Sequence, residues 1–196
     1  MLGNDKIKDE ILIKNFQDGD ASAFDILVNR YKDRIYNFIY RFVYDVDLAQ
    51  DLTQDTFVKL FTHKNSYKEI AKFSTWLYTI AQNLAKTELR KKKRRQTYAV
   101  SDLSQEDREF AISSNNNVFH DKDSSIQNFD IIMMDCLHQL SEEFKIMIIL
   151  RDFQELSYDV ISRIMEIPVG PVKSRINRGR IKLAVLLKAK GYNKNE

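Results

Sequence analysis

Asp51, Gln54 and Asp55 stand at i, i+3 and i+4, a spacing that puts all three on one face of a helix. Two carboxylates that close can carry acid–base chemistry or ligate a metal; an acidic face can equally dock a basic partner or remain a solvated face. No third ligand lies near them, and the three histidines (63, 120 and 138) are scattered. Cys136-Leu137-His138 lacks a second Cys or His at zinc spacing and reads as structural. There is no Gly-rich phosphate loop, nucleophile elbow or triad. The expectation is a protein that is not an enzyme and holds no metal or cofactor.

Two other constellations are cationic. Near the C-terminus Val172, Ile176, Gly179, Leu183 and Leu186 recur at helical spacing and define a buried stripe. At 100° per residue, Lys173, Ser174, Asn177 and Arg178 fall on the opposite face, flanked by Arg175, Arg180 and Lys182. A short helix capped by Ser157, carrying Val160, Ile161, Ile164 and Met165, precedes it across the turn Glu166-Ile167-Pro168. That is the helix-turn-helix pattern, whose second helix enters the major groove. Lys and Arg there reach guanine edges, and Asn or Ser reads others. A solvated basic helix end, favoured by the helix dipole, is the simpler alternative. The second constellation is Arg90-Lys91-Lys92-Lys93-Arg94-Arg95, extending a helix with Trp76, Tyr78, Asn83 and Lys86. A positive stripe with aromatics suits a phosphate backbone with stacked, unpaired bases. Core aromatics beside a solvated basic end explain it equally well.

The elements that position these groups are helices. The chain has 196 residues, 31 Lys+Arg, 28 Asp+Glu and a formal charge of +3, with only 5 Gly and 2 Pro. So few turn residues exclude an all-β sandwich or barrel. The longest apolar run, Ile146 to Leu150, falls far short of the ~20 residues of a membrane span. No signal-like apolar segment follows Met1, and a single cysteine suits a reducing compartment. These features predict a cytoplasmic protein with no membrane insertion.

The charge is segregated: residues 1–95 carry +5, 96–129 carry −4 and 130–196 carry +2. The middle stretch is poor in apolar residues and rich in Ser and Asn, which predicts an all-α chain of two small domains, 1–95 and 130–196, joined by a flexible acidic linker, 96–129. In the first domain a weakly patterned helix is expected around 7–16. Phe24, Leu27, Val28, Tyr31, Ile35, Phe38, Ile39 and Phe42 mark a second. The next helix begins at Asp45 or Asp47 and turns Leu48, Leu52, Phe57, Leu60 and Phe61 inward. Residues 62–72 form a loop, and Ser74 caps a helix burying Leu77, Ile80, Ala81, Leu84 and Leu89. The second domain starts near Phe129, with helices through Ile131–Leu140 and Phe144–Leu150 before the helix-turn-helix; Pro171 suits the start of the last helix.

Asp51-Leu52-Thr53-Gln54-Asp55-Thr56-Phe57-Val58-Lys59-Leu60-Phe61 resembles region 2.2 of bacterial sigma-70 family RNA polymerase sigma factors of the extracytoplasmic-function type. Phe73-Ser74-Thr75-Trp76-Leu77-Tyr78-Thr79-Ile80-Ala81-Gln82-Asn83 resembles region 2.3, running into a basic region 2.4. Leu140-Ser141-Glu142, Leu150-Arg151-Asp152, Leu156-Ser157-Tyr158 and Val169-Gly170-Pro171-Val172-Lys173-Ser174-Arg175 resemble region 4. The resemblance implies a transcription initiation factor that binds core RNA polymerase and brings it to −10 and −35 promoter elements, assisting opening. Asp51, Gln54 and Asp55 then match the face that docks on the clamp helices of the polymerase largest subunit. Trp76 and Asn83 match contacts to the separated −10 strand, with Lys86 and the run from Lys91 and Lys92 to Arg95 along its phosphates. The 62–72 loop matches the segment that captures a flipped base. Lys173, Ser174, Asn177 and Arg178 match the −35-reading face, the linker threads the channel RNA later occupies, and an anti-sigma protein is a further implied partner.

Four departures from the family pattern matter. Thr79 and Ile80 stand where housekeeping sigma factors place a strand-separating aromatic pair, which implies weaker melting and stricter promoter choice. Glu166 replaces the usual turn glycine and Ser162 a small alanine; Pro171 replaces a threonine at the head of the reading helix. A stand-alone helix-turn-helix regulator, binding operator DNA without polymerase, is the alternative, but it leaves residues 51–83 unexplained. A metal-dependent nuclease built on Asp51 and Asp55 is a third reading.

Overall fold

The computed structural model describes residues 7–101 and 125–192. It contains helices α1 (Asp9–Gln17), α2 (Ala21–Val43), α3 (Val46–Thr62) and α4 (Phe73–Ser101), then α5 (Ser125–His138), α6 (Glu142–Ile148), α7 (Tyr158–Met165) and α8 (Val169–Ala189). Among the described residues there is no strand. A 3-10 turn, Lys64–Ser66, follows α3, and a π-turn, Ile149–Phe153, follows α6. Among the described residues no helix is long and apolar enough to cross a membrane.

The helices α1–α4 form one bundle around Leu27, Ile35, Phe38, Ile39, Phe42, Leu60, Phe73 and Leu77, each at most 1% exposed. Asp20 opens α2 by accepting the Ser22 N–H, and Asp45 opens α3 by accepting the Leu48 N–H. Two expectations for this bundle are corrected. Helix α4 begins at Phe73, so Ser74 lies inside its first turn; the Phe73 N–H donates instead to Glu10 of α1, 3.2 Å away. A carboxylate from another helix meets the end that a local hydroxyl was expected to satisfy. Phe61 is 53% exposed rather than inward, its ring packed against those of Phe16 and Phe24. Helix α4 also continues past 95 and α5 opens at Ser125, so helical backbone enters both ends of the stretch read as linker. Residues 102–124 lie outside the described residues.

In the second unit, α8 packs on α5, α6 and α7. Ser157 caps α7 through the Val160 N–H, as its type and position predict. The Ser162 hydroxyl donates to the Ile167 carbonyl (2.5 Å) and pins the turn between α7 and α8. Gly179 is where α8 meets α6: a Cβ there would lie 2.9 Å from Ile148 Cδ1 and 3.3 Å from Phe144 Cβ. Gly179→Val should therefore overpack this crossing and cost about 1–3 kcal/mol, read as a lowered melting temperature; an unchanged midpoint would show that Ile148 and Phe144 yield to the larger side chain without cost.

The two units touch along a seam. Helix α7 lies against α4, and the π-turn lies against α2. Tyr78 Oη donates to Gln154 Oε1 (2.6 Å), and the Arg41 guanidinium lies 4.7 Å over the Phe153 ring. At one end His138 stacks on Tyr44, with Nε2 3.2 Å from the Arg41 carbonyl and Nδ1 3.2 Å from Lys145 Nζ. The ammonium donates to Nδ1, so the imidazole is neutral with its proton on Nε2. Burial, and then the Lys145 charge, push its pKa from 6.5 down to about 4; Asp135 and Lys92 face it with opposite effects. The unfolded chain therefore takes up the proton first. His138 contributes no penalty above about pH 6.5, and stability falls as pH drops from there toward about 4. Melting temperatures at pH 7 and pH 5 should show this loss, and His138→Gln should shrink it; an equal loss in the variant would place the titration elsewhere.

Candidate nucleic-acid interface

Helix α3 presents Asp51, Gln54 and Asp55 together, all exposed, while Leu52, Thr56, Phe57 and Leu60 anchor its other side. Thr56 and Thr53 return their hydroxyls to the Leu52 and Ala49 carbonyls (2.7 and 2.6 Å), which leaves the outer face to the acids and the glutamine. Val58 and Phe61, 51% and 53% exposed, continue this face by one and two turns. The same arithmetic that groups the acids places Val58 within about 20° of Asp51, so the apolar extension was readable; the inward assignment of Phe61 hid it. Among the described residues no group of three or more His, Cys, Asp or Glu side chains is placed to hold a metal. Cys136 is buried, and burial raises its thiol pKa.

Helix α4 divides the second set. Tyr78, named beside the basic stripe, is a core residue: it is 2% exposed, packs edge-on against Phe38, and burial pushes its phenol up to about 12. Trp76 is half-buried, its ring among Tyr67 and Phe73 at centroid distances of 5.5 and 6.3 Å. It lines an open groove of about 610 Å³ with Tyr67, Lys68, Ile70 and Thr79 of the first unit. Asn83 is exposed. Lys86 is half-buried, and its ammonium reaches the Gln82 amide oxygen (2.9 Å) when the amide nitrogen donates to the Ile164 carbonyl (3.1 Å). Burial, and then Arg90, lower its pKa. Lys91 and Lys92 are exposed, paired to Glu88 and Asp45 at 2.6 and 3.4 Å. Trp76, Asn83 and Lys86 therefore follow one another along the helix that the basic run prolongs.

Helix α8 carries the third set on its outer face. Lys173, Ser174, Asn177 and Arg178 are all exposed, and Val172, Ile176, Gly179 and Leu183 are buried behind them. Arg178 lies along its own helix, Nη2 donating to Ser174 Oγ at 3.1 Å. The Lys173 ammonium lies 5.6 Å over the Tyr158 ring. Arg175 and Arg180 are tied back to Glu143 and Asp152. Two flanking cations thus brace the second unit, while the four outer side chains are presented to solvent. Glu166, at the turn, has φ 55°, the left-handed conformation where a side chain costs about 1 kcal/mol. Pro171 sits in the first turn of α8, where its missing N–H leaves no bond unmade.

Residues 27–95 match the family model for sigma-70 region 2, and residues 131–183 match that for sigma-70 region 4. The chain is 34% identical over 179 residues to the ECF RNA polymerase sigma-E factor of Haemophilus influenzae, covering 90% of this chain and 93% of that protein. It is 36% identical over 178 residues to the RNA polymerase sigma-H factor of Pseudomonas aeruginosa, with 88% and 90% covered. It is 35% identical over 176 residues to the ECF RNA polymerase sigma factor SigW of Bacillus subtilis, with 86% and 90% covered. The fold is shared with the sigma factor RpoE of Bartonella quintana, solved in complex with the anti-sigma factor NepR (TM-score 0.66, 24% identity, 84% of this chain and 96% of that one). It is shared too with CnrH, solved with the cytosolic domain of CnrY (TM-score 0.68, 21% identity, 92% and 97%). This chain belongs to the extracytoplasmic-function group of the sigma-70 family of RNA polymerase sigma factors, and it acts in transcription initiation.

Proposed function

We propose that the chain works in the cytoplasm by docking on core polymerase through Asp51, Gln54 and Asp55, binding the separated −10 strand through Trp76, Asn83, Lys86, Lys91 and Lys92, and reading the −35 duplex through Lys173, Ser174, Asn177 and Arg178. The observation that carries this reading is the pairing of opposite faces in one chain: an exposed acidic face on α3 and an exposed basic, hydrogen-bonding face on α8. DNA repels the first and attracts the second. A positively charged protein surface, here the clamp helices of the polymerase largest subunit, fits the first.

The chain supplies no catalytic chemistry of its own. Binding energy to unpaired bases shifts the duplex toward its open form, by no more than the difference in affinity for the two states. The organisation follows as residues 1–95, an acidic connection at 96–129 and residues 130–196, the connection passing through the channel later taken by RNA. An anti-sigma protein is a further partner of this reading; the Bartonella quintana sigma factor that shares this fold was solved in complex with one. The test is co-elution of the purified chain with bacterial core RNA polymerase at moderate salt. A stable complex is expected; a chain that elutes alone and binds duplex DNA as a dimer is the stand-alone regulator instead.

A further inference from the structure

Helix α1 lies ahead of residues 27–95, which match the region 2 model, and it bears none of the residues assigned to polymerase or DNA. Its inner side is fixed to the bundle. Leu12, Ile13 and Phe16 are at most 2% exposed, and Asp9 accepts from both the Arg30 guanidinium and the Tyr31 hydroxyl of α2. Two other side chains of α1 reach the segment between α3 and α4. The Gln17 amide nitrogen donates to the Lys64 carbonyl (2.7 Å) and to the Tyr67 carbonyl (3.1 Å), which uses both of its hydrogens. The Lys64 ammonium returns a bond to the Phe16 carbonyl (2.5 Å) and lies 4.3 Å over the Phe16 ring. At the far end of the segment the Glu10 carboxylate accepts the Phe73 N–H (3.2 Å).

Glu10 and Gln17 stand seven residues apart in α1. Two helical turns put them on one face, within about 20° of each other and about 10 Å apart along the axis. One rigid helix thus holds both ends of residues 64–73. Between the two clamps Lys68, Glu69 and Ile70 are exposed, Ile70 by 82%, and Tyr67 Oη ties the middle by donating to the Ala71 carbonyl (2.8 Å). A segment outside any regular ladder keeps its shape only as well as its anchors do. Lys68 and Ile70 line the open groove that also holds Trp76 and Thr79. Trp76 is fixed by α4, so the spacing across the groove depends on where α1 sets the segment.

We propose that Gln17 and Glu10 are positioning residues for −10 reading. By fixing both ends of residues 64–73 they hold Lys68 and Ile70 at the distance from Trp76 that admits one unpaired base, and so set the preference at one −10 position without touching DNA. The inference rests on the reading of residues 62–72 as the segment that captures a flipped base. Docking through α3 and −35 reading through α8 lie outside its reach.

The chain bound to core polymerase is given fragmented bacterial DNA, and the 5′ ends of its transcripts are aligned to give the base preference at each promoter position. Gln17→Met removes both donors at similar length. Glu10→Ala removes the acceptor, and Glu10→Gln keeps an acceptor oxygen. In Gln17→Met and Glu10→Ala the preference at one −10 position should fall several-fold, while the other −10 positions and the −35 element keep theirs; Glu10→Gln should restore it. A loss spread evenly over all promoters, or an unchanged preference at every position, overturns the proposal, since α1 then only supports the bundle. Should Gln17→Met melt too low to form the complex, Glu10→Ala and Glu10→Gln carry the same expectations. Lys68→Ala/Ile70→Ala in the same assay separates the causes. If it relaxes a −10 position that the α1 variants leave intact, the positioning role alone is overturned. If it relaxes none, base capture by residues 62–72 falls, and the positioning role with it.

Discussion

Reversing both charges, Asp51→Lys with Asp55→Lys, should abolish binding to core polymerase while leaving the fold intact. Both side chains are exposed on the outer face of α3, and neither makes an ion pair among the described residues, so the bundle loses nothing with them. Exposed substitutions of this kind usually move stability by no more than about 0.5 kcal/mol. At a basic partner surface the change is of another order. Like charges brought together in an interface cost several kcal/mol, which is about a hundredfold or more in Kd. Binding to labelled core polymerase, measured beside a melting curve, checks both halves. Unchanged affinity would remove the α3 face from the docking assignment. Lost affinity with a lowered melting temperature would mean the bundle had been damaged instead.

The second large effect belongs to α8. Truncating Lys173 or Arg178 to alanine should cost about 1–3 kcal/mol at one promoter position and little at others, if each reaches a base edge. Position on the helix supports this: both project from the face opposite Val172, Ile176 and Gly179, with Asn177 between them. Each must leave a resting contact to do so, Arg178 its bond to Ser174 and Lys173 its place over Tyr158. These contacts are exposed and weak, so the cost of leaving them is small. The readout is transcription by the polymerase complex from a promoter series with single changes in the −35 element. A base-specific loss identifies a reader. A uniform loss with a reduced salt slope identifies a phosphate contact.

Much of this architecture was legible in the sequence because it depends on local pattern. Asp45 and Ser157 have the side chains that caps require, and both cap. The stripe from Val172 to Leu183 has helical spacing, and it is buried. The outward faces of α3 and α8 followed from the same geometry. What could not be read depends on partners distant in the chain. The Phe73 N–H is met by Glu10, 63 residues away, so no nearby residue type announced the true start of α4. Phe61 fits an apolar pattern by type, but its inner side is already filled by Phe16 and Phe24, which leaves much of the ring in water. Tyr78 had two readings by pattern; its bond to Gln154 and its contact with Phe38 made it core. The seam had no signature at all, because its contacts join single residues from separate units rather than repeating along either. The positive φ at Glu166 was foreseeable, since the resemblance places a glycine there; those at Tyr44 and Glu155 were not.

The sigma-factor account makes one demand that no other reading shares: transcription must begin at defined sites only when this chain and core polymerase are both present. The most direct measurement is to combine the chain with core polymerase on fragmented bacterial DNA and map the 5′ ends of the transcripts. The account predicts a small set of start sites sharing a −10 and a −35 sequence, absent with core alone and lost with the Asp51/Asp55 reversal. Transcripts that begin at the same places with core alone, or a chain that protects duplex sites but never changes where transcription starts, would contradict it.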